Sequence, residues 1–278
     1  MQAWELAGAA LLGACAAAVG TPAGVSGGLL LLPVLLTVHG LTGTVAGATN
    51  LVFNIVSTPG GIARQVARGR IDWPLTRLLC AAAVPGSAAG ATVNVLLLGD
   101  TALFRLLVAG LLTAVAASLL LPRRTTTMSP RRNRSTEATT GPARTSGWDG
   151  GGVRTRAVLV VAGLLSGVIG GFYGLGGAVL AAPAALALTG WPVSRVSGAA
   201  LVTTLSVSGT GLLAYLTMDL VGLTSVQTPH WPLGLALGAG GLVGGYLAAR
   251  VAGRVPDRLL RGTLAGLVTL AALRLATG

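Results

Sequence analysis

Long apolar segments are the feature of this chain that most restricts its fold. Residues 78–98 and 196–216 contain no charged side chain, and each is close to the roughly 20 residues that an α-helix needs to cross about 30 Å of hydrocarbon. Charged residues make up only 9% of the 278 positions, too few to cover a soluble domain of this size. The sequence therefore predicts an all-α polytopic membrane protein.

Six apolar segments are predicted to span the membrane as single helices: 45–63, 78–98, 102–121, 196–216, 231–249 and 259–276. Two further apolar regions, 6–38 and 157–189, are each interrupted by a cluster of glycines. The pieces beside each cluster are about 10 to 14 residues long, so they reach only roughly 15 to 21 Å. They are predicted to be short or re-entrant half-helices that meet at an unwound glycine turn.

The second half of the chain repeats the first. One constant offset superimposes residues of the same type in the same order: Gly13 on Gly163, Gly20 on Gly170, Gly24 on Gly174, Leu30 on Leu180, Pro33 on Pro183, Gly40 on Gly190, Leu51 on Leu201 and Gly61 on Gly211. This pattern predicts a tandem duplication. The first transmembrane repeat covers 1–121, the second covers 157–278, and a flexible Arg-rich linker covers 122–156.

The charged loops indicate how the repeats are oriented. Arginines border the segments that the positive-inside bias places on the cytoplasmic side, namely Arg64, Arg68, Arg70, Arg77, the linker, Arg250, Arg254 and Arg258. Asp100 and Asp219 mark outer loops, so the first repeat begins outside and the second begins inside. The prediction is two inverted-topology repeats in the plasma membrane, each with a glycine-broken or re-entrant hairpin plus three transmembrane helices. Both termini lie outside, and the central linker is cytoplasmic.

The glycine clusters and neighbouring polar residues form a candidate binding site. A half-helix N-terminus exposes backbone N–H groups that suit an anion, and glycine lets the backbone approach a solute. Backbone donors are predicted from Ser26, Gly27, Gly28, Gly174, Gly176 and Gly177, and side-chain ligands from Thr49, Asn50, Asn54, Thr203 and Thr204. The alternative is that these side chains only hold helices together by hydrogen bonds.

The residues that are missing from the spans narrow the chemistry further. No Asp, Glu, His or Lys lies in the middle of a predicted span, which leaves a proton relay or a metal-cation site without obvious parts. No arrangement of residues suggests catalysis, a cofactor or, despite a net charge of +12, nucleic-acid binding. A small anionic solute and the lipid bilayer are the expected partners.

Two further features each have more than one interpretation. Asp72, beside Arg70 and other arginines, is predicted to be a gate or part of a loop-stabilising ion pair. The small residues at 240–245 have the spacing of helix-packing motifs within or between chains, so a homo-oligomer is left open.

Several motifs resemble the TauE/SafE family of sulfite and sulfonate transporters, also called the toluene-sulfonate uptake permease family. They are Gly24-Val-Ser-Gly-Gly-Leu followed by Pro33, Ala46-Gly-Ala-Thr-Asn50, Arg68-Gly-Arg-Ile-Asp-Trp73, Gly174-Leu-Gly-Gly and Ser197-Gly-Ala-Ala-Leu. The resemblance covers both halves, residues 6–121 and 157–277. The chain departs from the pattern in its long Arg-rich linker, and its second repeat lacks the Asn and the Gly-x-Ile-Asp of the first.

The resemblance implies a plasma-membrane permease, not an enzyme, for a sulfur-containing anion such as sulfite, thiosulfate or an organosulfonate. Inverted repeats with broken helices are typical of transporters that work by alternating access. The alternatives are a passive anion channel and a non-transporting membrane scaffold or enzyme subunit.

Overall fold

The computed structural model describes residues 2–21, 26–98, 152–189, 193–222 and 229–251, with isolated helical positions between 106 and 113 and between 262 and 270. The regular elements in these ranges are all helical, as the sequence predicts. They are α1 (Ala3–Gly20), α2 (Gly28–Thr37), α3 (Gly43–Ala67), α4 (Trp73–Val93), α5 (Val153–Tyr173), α6 (Ala181–Thr189), α7 (Val193–Leu220) and α8 (Trp231–Val251). A π-helical turn, Asn94–Leu98, continues α4.

Five of the described helices are long and apolar enough to cross a membrane, namely α1, α4, α5, α7 and α8. Helix α3 is not among them, although the sequence predicts a span over 45–63. Its 25 residues give it ample length, but buried polar residues including Asn50, Asn54, Ser57 and Thr58 lower its hydropathy. A helix of this kind is suited to the interior of the bundle, where other protein atoms meet its polar face.

The lengths predicted for the first pieces of the broken regions are wrong. Helix α1 has 18 residues and α5 has 21, so both are long enough to span, and only α2 and α6 are short. The extra length comes from residues before 6 and 157 that still join the helices and, in α5, from residues 170–173 of the glycine cluster. Glu5 accepts a hydrogen bond from the backbone N–H of Gln2 at 2.8 Å, which stabilises the first turn of α1.

Three predicted segments fall largely outside the described residues. The spans over 102–121 and 259–276 lie largely outside them, as does most of the linker predicted over 122–156. Helix α5 begins at Val153, inside the range predicted for the linker. Arg154 and Arg156 therefore belong to a helix.

Helices α1, α3 and α8 run in the same direction. Along α1 and α8, Ala10 lies against Gly240 and Ala14 lies against Gly244, so residue numbers rise together on both helices. Helix α3 follows the same direction, since Val52 meets Gly234 and Val56 meets Gly238 further along.

Helices α4, α5 and α7 run in the opposite direction. Ala83 of α4 lies against Gly167 of α5, and Ser87 of α4 lies against Gly171. Helix α7 is antiparallel to α3, because Leu51 meets Gly211 whereas Gly61 meets Leu201. These two contacts place the crossing of α3 and α7 near the middle of both helices.

The short helices return the chain to the end from which it came. Because α1 and α3 run in the same direction, the connection through α2 must lead back to the end where α1 begins. The same holds for α6, which connects the parallel helices α5 and α7. Each broken region is therefore an out-and-back hairpin.

Charged residues are sorted between the two ends of the bundle. We call the basic end the one where α3 and α8 finish and where α4, α5 and α7 begin. It carries Arg64, Arg68, Arg70, Arg77, Arg154, Arg156 and Arg250. Its helices are joined directly, since Gln65 Nε2 donates to Ser197 Oγ at 2.7 Å. Glu5 and Asp219 lie at the opposite end.

Glycines set the close approach of the long helices. A methyl group at Gly240 would overlap the backbone carbonyl of Ala10 across the α1–α8 interface, whereas Gly8, on α1 itself, has no atom of another residue within contact distance of a methyl group. In a membrane, where lipid is as apolar as leucine, such close van der Waals packing is a main source of helix association.

We expect Gly240→Ala to destabilise the protein by about 1 to 3 kcal/mol, because α1 and α8 must move apart to admit the new methyl group. Thermal unfolding of the detergent-solubilised chain measures the effect. Gly8→Ala is the matched control and should be neutral or mildly stabilising. Equal unfolding temperatures for both variants would contradict the packing described for this interface.

Candidate functional site

The two interruptions between helices lie beside the crossing of α3 and α7. The first break comprises residues 21–27, of which 22–25 are outside the described ranges, and the second break comprises residues 174–180. Polar residues in the middle of α3 and α7 lie near this crossing. Asn50, Asn54, Thr204 and Ser208 are all completely buried, with 0% of each residue exposed.

Asn54 connects the two breaks through a single side-chain amide. Its Nδ2 donates to the carbonyl oxygen of Gly174 at 3.0 Å, and its Oδ1 accepts a short hydrogen bond from the hydroxyl of Ser26. Gly174 and Ser26 belong to different halves of the chain. One residue in the centre of α3 therefore holds both broken hairpins in place.

Asn50 supports the first break one helical turn away, as the sequence spacing predicts. Its Nδ2 donates to the carbonyl oxygen of Gly28 at 2.9 Å, and the Gly28 N–H donates to Ser26 Oγ at 3.1 Å. A side chain at Gly28 would begin about 3 Å from both asparagine amides, so only glycine fits here without displacing them. In the described part of the chain, Asn50 Oδ1 accepts no hydrogen bond.

The second break has a backbone shape that requires glycine. Gly174 ends α5 with φ +70° and Gly176 follows with φ +79°, both in the left-handed region that other residues rarely adopt. Ser166 anchors the far side, because its hydroxyl donates to Gly177 O at 2.7 Å and accepts from the Leu180 N–H at 3.1 Å.

Several polar groups at or beside the second break have no hydrogen-bond partner in the part of the chain that the structure describes. Among the described residues, none accepts a hydrogen bond from the N–H groups of Leu175, Gly176 or Gly177. The hydroxyls of Thr204 and Ser208 are likewise without a partner there. Thr204 packs directly against Gly176, where an added methyl group would overlap it. Buried polar groups without partners are rare and costly, and they indicate a place for a bound ion or water.

Other predicted site residues have a partner elsewhere. Thr203 donates to the carbonyl oxygen of Ala199 in its own helix at 2.9 Å. Thr49 lies toward the end opposite the arginines and accepts a hydrogen bond from the His230 N–H at 2.9 Å. Gly27 and Gly177, by contrast, belong to the breaks themselves, where Gly27 packs against the backbone of α1 and Gly177 packs against Val207 and Thr203. Of the predicted set, the structure brings together at the breaks Ser26, Gly27, Gly28, Asn50, Asn54, Gly174, Gly176, Gly177 and Thr204.

Asp72 caps helix α4. Its Oδ1 accepts a hydrogen bond from the Leu75 N–H at 3.0 Å, and its backbone carbonyl accepts one from the Thr76 hydroxyl at 2.7 Å. Arg70 is exposed, and its backbone packs against Gly198 of α7. The described contacts thus give Asp72 a role in shaping the loop at the basic end.

Three supporting residues were not predicted from the sequence. Ser166 anchors the second break, and Asn94 donates a short hydrogen bond to the carbonyl of Phe172 at the end of α5. Tyr215 adds a second contact, its hydroxyl lying 3.3 Å from Gly171 O. Each of the three is a polar residue inside an otherwise apolar segment, and this pattern could have marked it as a candidate. The sequence does not show its partner, because that partner is remote along the chain.

The donor set at the breaks suits an anion better than a metal cation. Within the part of the chain that the structure describes, no three His, Cys, Asp or Glu side chains come close enough to hold a metal ion. The side chains and N–H groups at the breaks are neutral, and most of them are donors. A negatively charged guest can accept such hydrogen bonds without paired cations.

Comparison with known proteins decides the family. A family model described as "Sulfite exporter TauE/SafE" matches residues 9–275. The chain belongs to the TauE/SafE family. This confirms the resemblance drawn from the glycine motifs and places the protein among multi-pass membrane transporters rather than enzymes.

Two bacterial relatives extend the comparison over most of the chain. A "Probable membrane transporter protein" of Xylella fastidiosa strain Temecula1 is 26% identical over 250 residues, covering 89% of this chain and 85% of the relative. A protein of the same description from strain 9a5c is 25% identical over the same length and the same shares. No solved structure matches the chain.

We expect Asn54→Leu to lower the free energy of unfolding by about 1 to 3 kcal/mol, since the buried Gly174 carbonyl loses its donor and the Ser26 hydroxyl loses the acceptor of its proton. Chemical or thermal unfolding in detergent measures the loss. Thr217→Val, which removes an exposed hydroxyl bonded within its own helix, serves as the control. An Asn54→Leu protein as stable as the wild type would show that the amide does not join the breaks.

Proposed function

We propose that this protein transports a small sulfur-containing anion, such as sulfite, thiosulfate or an organosulfonate, by alternating access between two inverted repeats. The observation that carries the proposal is the meeting of both glycine breaks at Asn54, in the interior of a TauE/SafE chain, beside buried hydroxyls that have no hydrogen-bond partner among the described residues. The description of the family supports the substrate class.

The directions of the helices support inverted repeats. The sequence alignment of the halves pairs α1 with α5, α3 with α7 and α4 with α8. In each pair, the contacts described above make one helix run opposite to the other. Packing is also exchanged between the halves, because α1 lies on α8 as α5 lies on α4. Two such units are related by an axis in the membrane plane, which favours alternation between two equivalent openings.

The proposed binding residues combine backbone and side-chain donors. Ser26, Gly27, Gly28, Gly174, Gly176 and Gly177 shape the two breaks, and Thr49, Asn50, Asn54, Thr203 and Thr204 line or brace the helices beside them. Asp72 and Arg70 stabilise the loop at the basic end. Neutral donors hold an anion strongly enough to select it and weakly enough to release it, as transport requires.

The sorting of charges supports an orientation in the plasma membrane. The basic end lies in the cytoplasm by the positive-inside rule, which also places the linker there and both termini outside. Residues 67 and 221 then lie on opposite sides, since Ala67 ends α3 at the basic end and Val221 follows α7 at the other. Both are exposed.

We expect an impermeant maleimide added to intact cells to label Val221→Cys but not Ala67→Cys, in a chain whose Cys15 and Cys80 are changed to alanine. In inside-out vesicles the pattern should reverse, which also serves as the control that each cysteine is reactive. Labelling of both positions from one side would contradict the proposed arrangement of the repeats.

Transport itself is tested with purified protein in proteoliposomes. We expect saturable uptake of radiolabelled sulfite or thiosulfate, with counterflow against an internal pool, and a clear loss in Asn50→Ala at an equal amount of folded protein. Flux that never saturates and shows no counterflow would identify a passive channel. Absence of flux for every sulfur oxyanion and sulfonate would favour a scaffold or an enzyme subunit.

A further inference from the structure

We propose that the solute binds on the second half alone, to the hydroxyls of Thr204 and Ser208 and the backbone N–H groups of Leu175, Gly176 and Gly177. Asn54 then has a structural role, because its amide holds the first break against this site. The inference rests on the proposed function and locates its binding site. The ligand is a compact oxyanion that accepts several hydrogen bonds.

The two halves differ in the residues that lie beside their breaks. The alignment that superimposes Leu51 on Leu201 also places Asn54 on Thr204 and Ser26 on Gly176. In the first half, Ser26 and Asn54 satisfy each other. In the second half the corresponding pair is a glycine and a shorter hydroxyl side chain, so no such bond can form. The Thr204 hydroxyl is left beside the break with no hydrogen-bond partner in the described ranges.

The backbone groups of the second break that lack a described partner are hydrogen-bond donors. A backbone N–H can only donate, and those of Leu175, Gly176 and Gly177 donate to no described residue. Successive N–H groups next to left-handed glycines form a concave site for anions. The guest must therefore bring acceptors, which an oxyanion does and a metal cation does not.

The hydroxyls of Thr204 and Ser208 are placed so that one ligand can reach both. Thr204 and Ser208 are one turn apart on α7, so their side chains lie on the same face about 5 to 6 Å apart. Both are fully buried near the crossing with α3. A buried hydroxyl without a hydrogen-bond partner destabilises the protein, and binding of an oxyanion removes that cost for both side chains.

The asparagines have a different role in this arrangement. The Nδ2 groups of Asn50 and Asn54 already donate to the carbonyls of Gly28 and Gly174. They are positioning residues, because their donors are used by the protein itself. Loss of either acts on the anion through the shape of the breaks.

Binding to the solubilised full chain tests the inference. The apparent dissociation constant for sulfite, thiosulfate and methanesulfonate is obtained from the rise in unfolding temperature with anion concentration. We expect Thr204→Val and Ser208→Ala each to raise it about tenfold or more, the effect of losing one hydrogen bond to a charged ligand. Thr210→Val, in the same helix with its hydroxyl bonded to Ser206 O, should leave it unchanged.

A second measurement separates a ligand role from a structural one. Without anion, Thr204→Val should unfold at the same temperature as the wild type or higher, since it removes an unpaired polar group from the interior. A clear drop in unfolding temperature would overturn the inference, because the hydroxyl would then serve the fold, for instance through a bound water.

The remaining outcomes distinguish this site from the proposed function. Unchanged affinity in Thr204→Val and Ser208→Ala, with a wild type that binds sulfur oxyanions, overturns the site and leaves the function standing. A wild type stabilised only by phosphate or nitrate, through Thr204, supports the site and overturns the sulfur substrate. A wild type that no anion stabilises overturns the site.

Discussion

The side-chain amide of Asn54 is the contact on which the central arrangement depends. An unwound segment inside a membrane is tolerated only if its backbone groups find partners in the protein, and here one amide reaches both unwound segments. It donates to Gly174 and accepts from Ser26. The first half of the chain thereby holds the broken hairpin of the second half as well as its own.

The remaining packing brings the breaks to this residue. Glycines at the α1–α8 and α4–α5 interfaces let backbones touch, which supplies the dispersion contacts that the lipid cannot replace. Helices α3 and α7 cross antiparallel near their midpoints, so polar residues at the centre of each helix meet deep in the bundle. The family is one of membrane transporters, and in this member the two broken hairpins are joined at the centre of the bundle.

Local patterns in the sequence predicted much of this fold. Apolar runs predicted the long helices, and glycine clusters predicted the breaks. The starts of α1 and α5 were missed, because polar residues such as Glu5 and Arg154 extend a helix without any apolar signal. The bond from Asn54 to Gly174 spans 120 positions of sequence, and the capping role of Asp72 depends on the loop. Such partners follow from tertiary packing and cannot be predicted from spacing.

A double-mutant cycle between Ser26 and Asn54 tests the central claim most directly. Unfolding free energies of Ser26→Ala, Asn54→Ala and the double variant give the coupling between the two side chains. A buried hydrogen bond between them predicts a coupling of about 1 kcal/mol or more, and Ser26→Ala combined with the distant Thr92→Val should be additive. Additive effects for Ser26 and Asn54 would contradict the account.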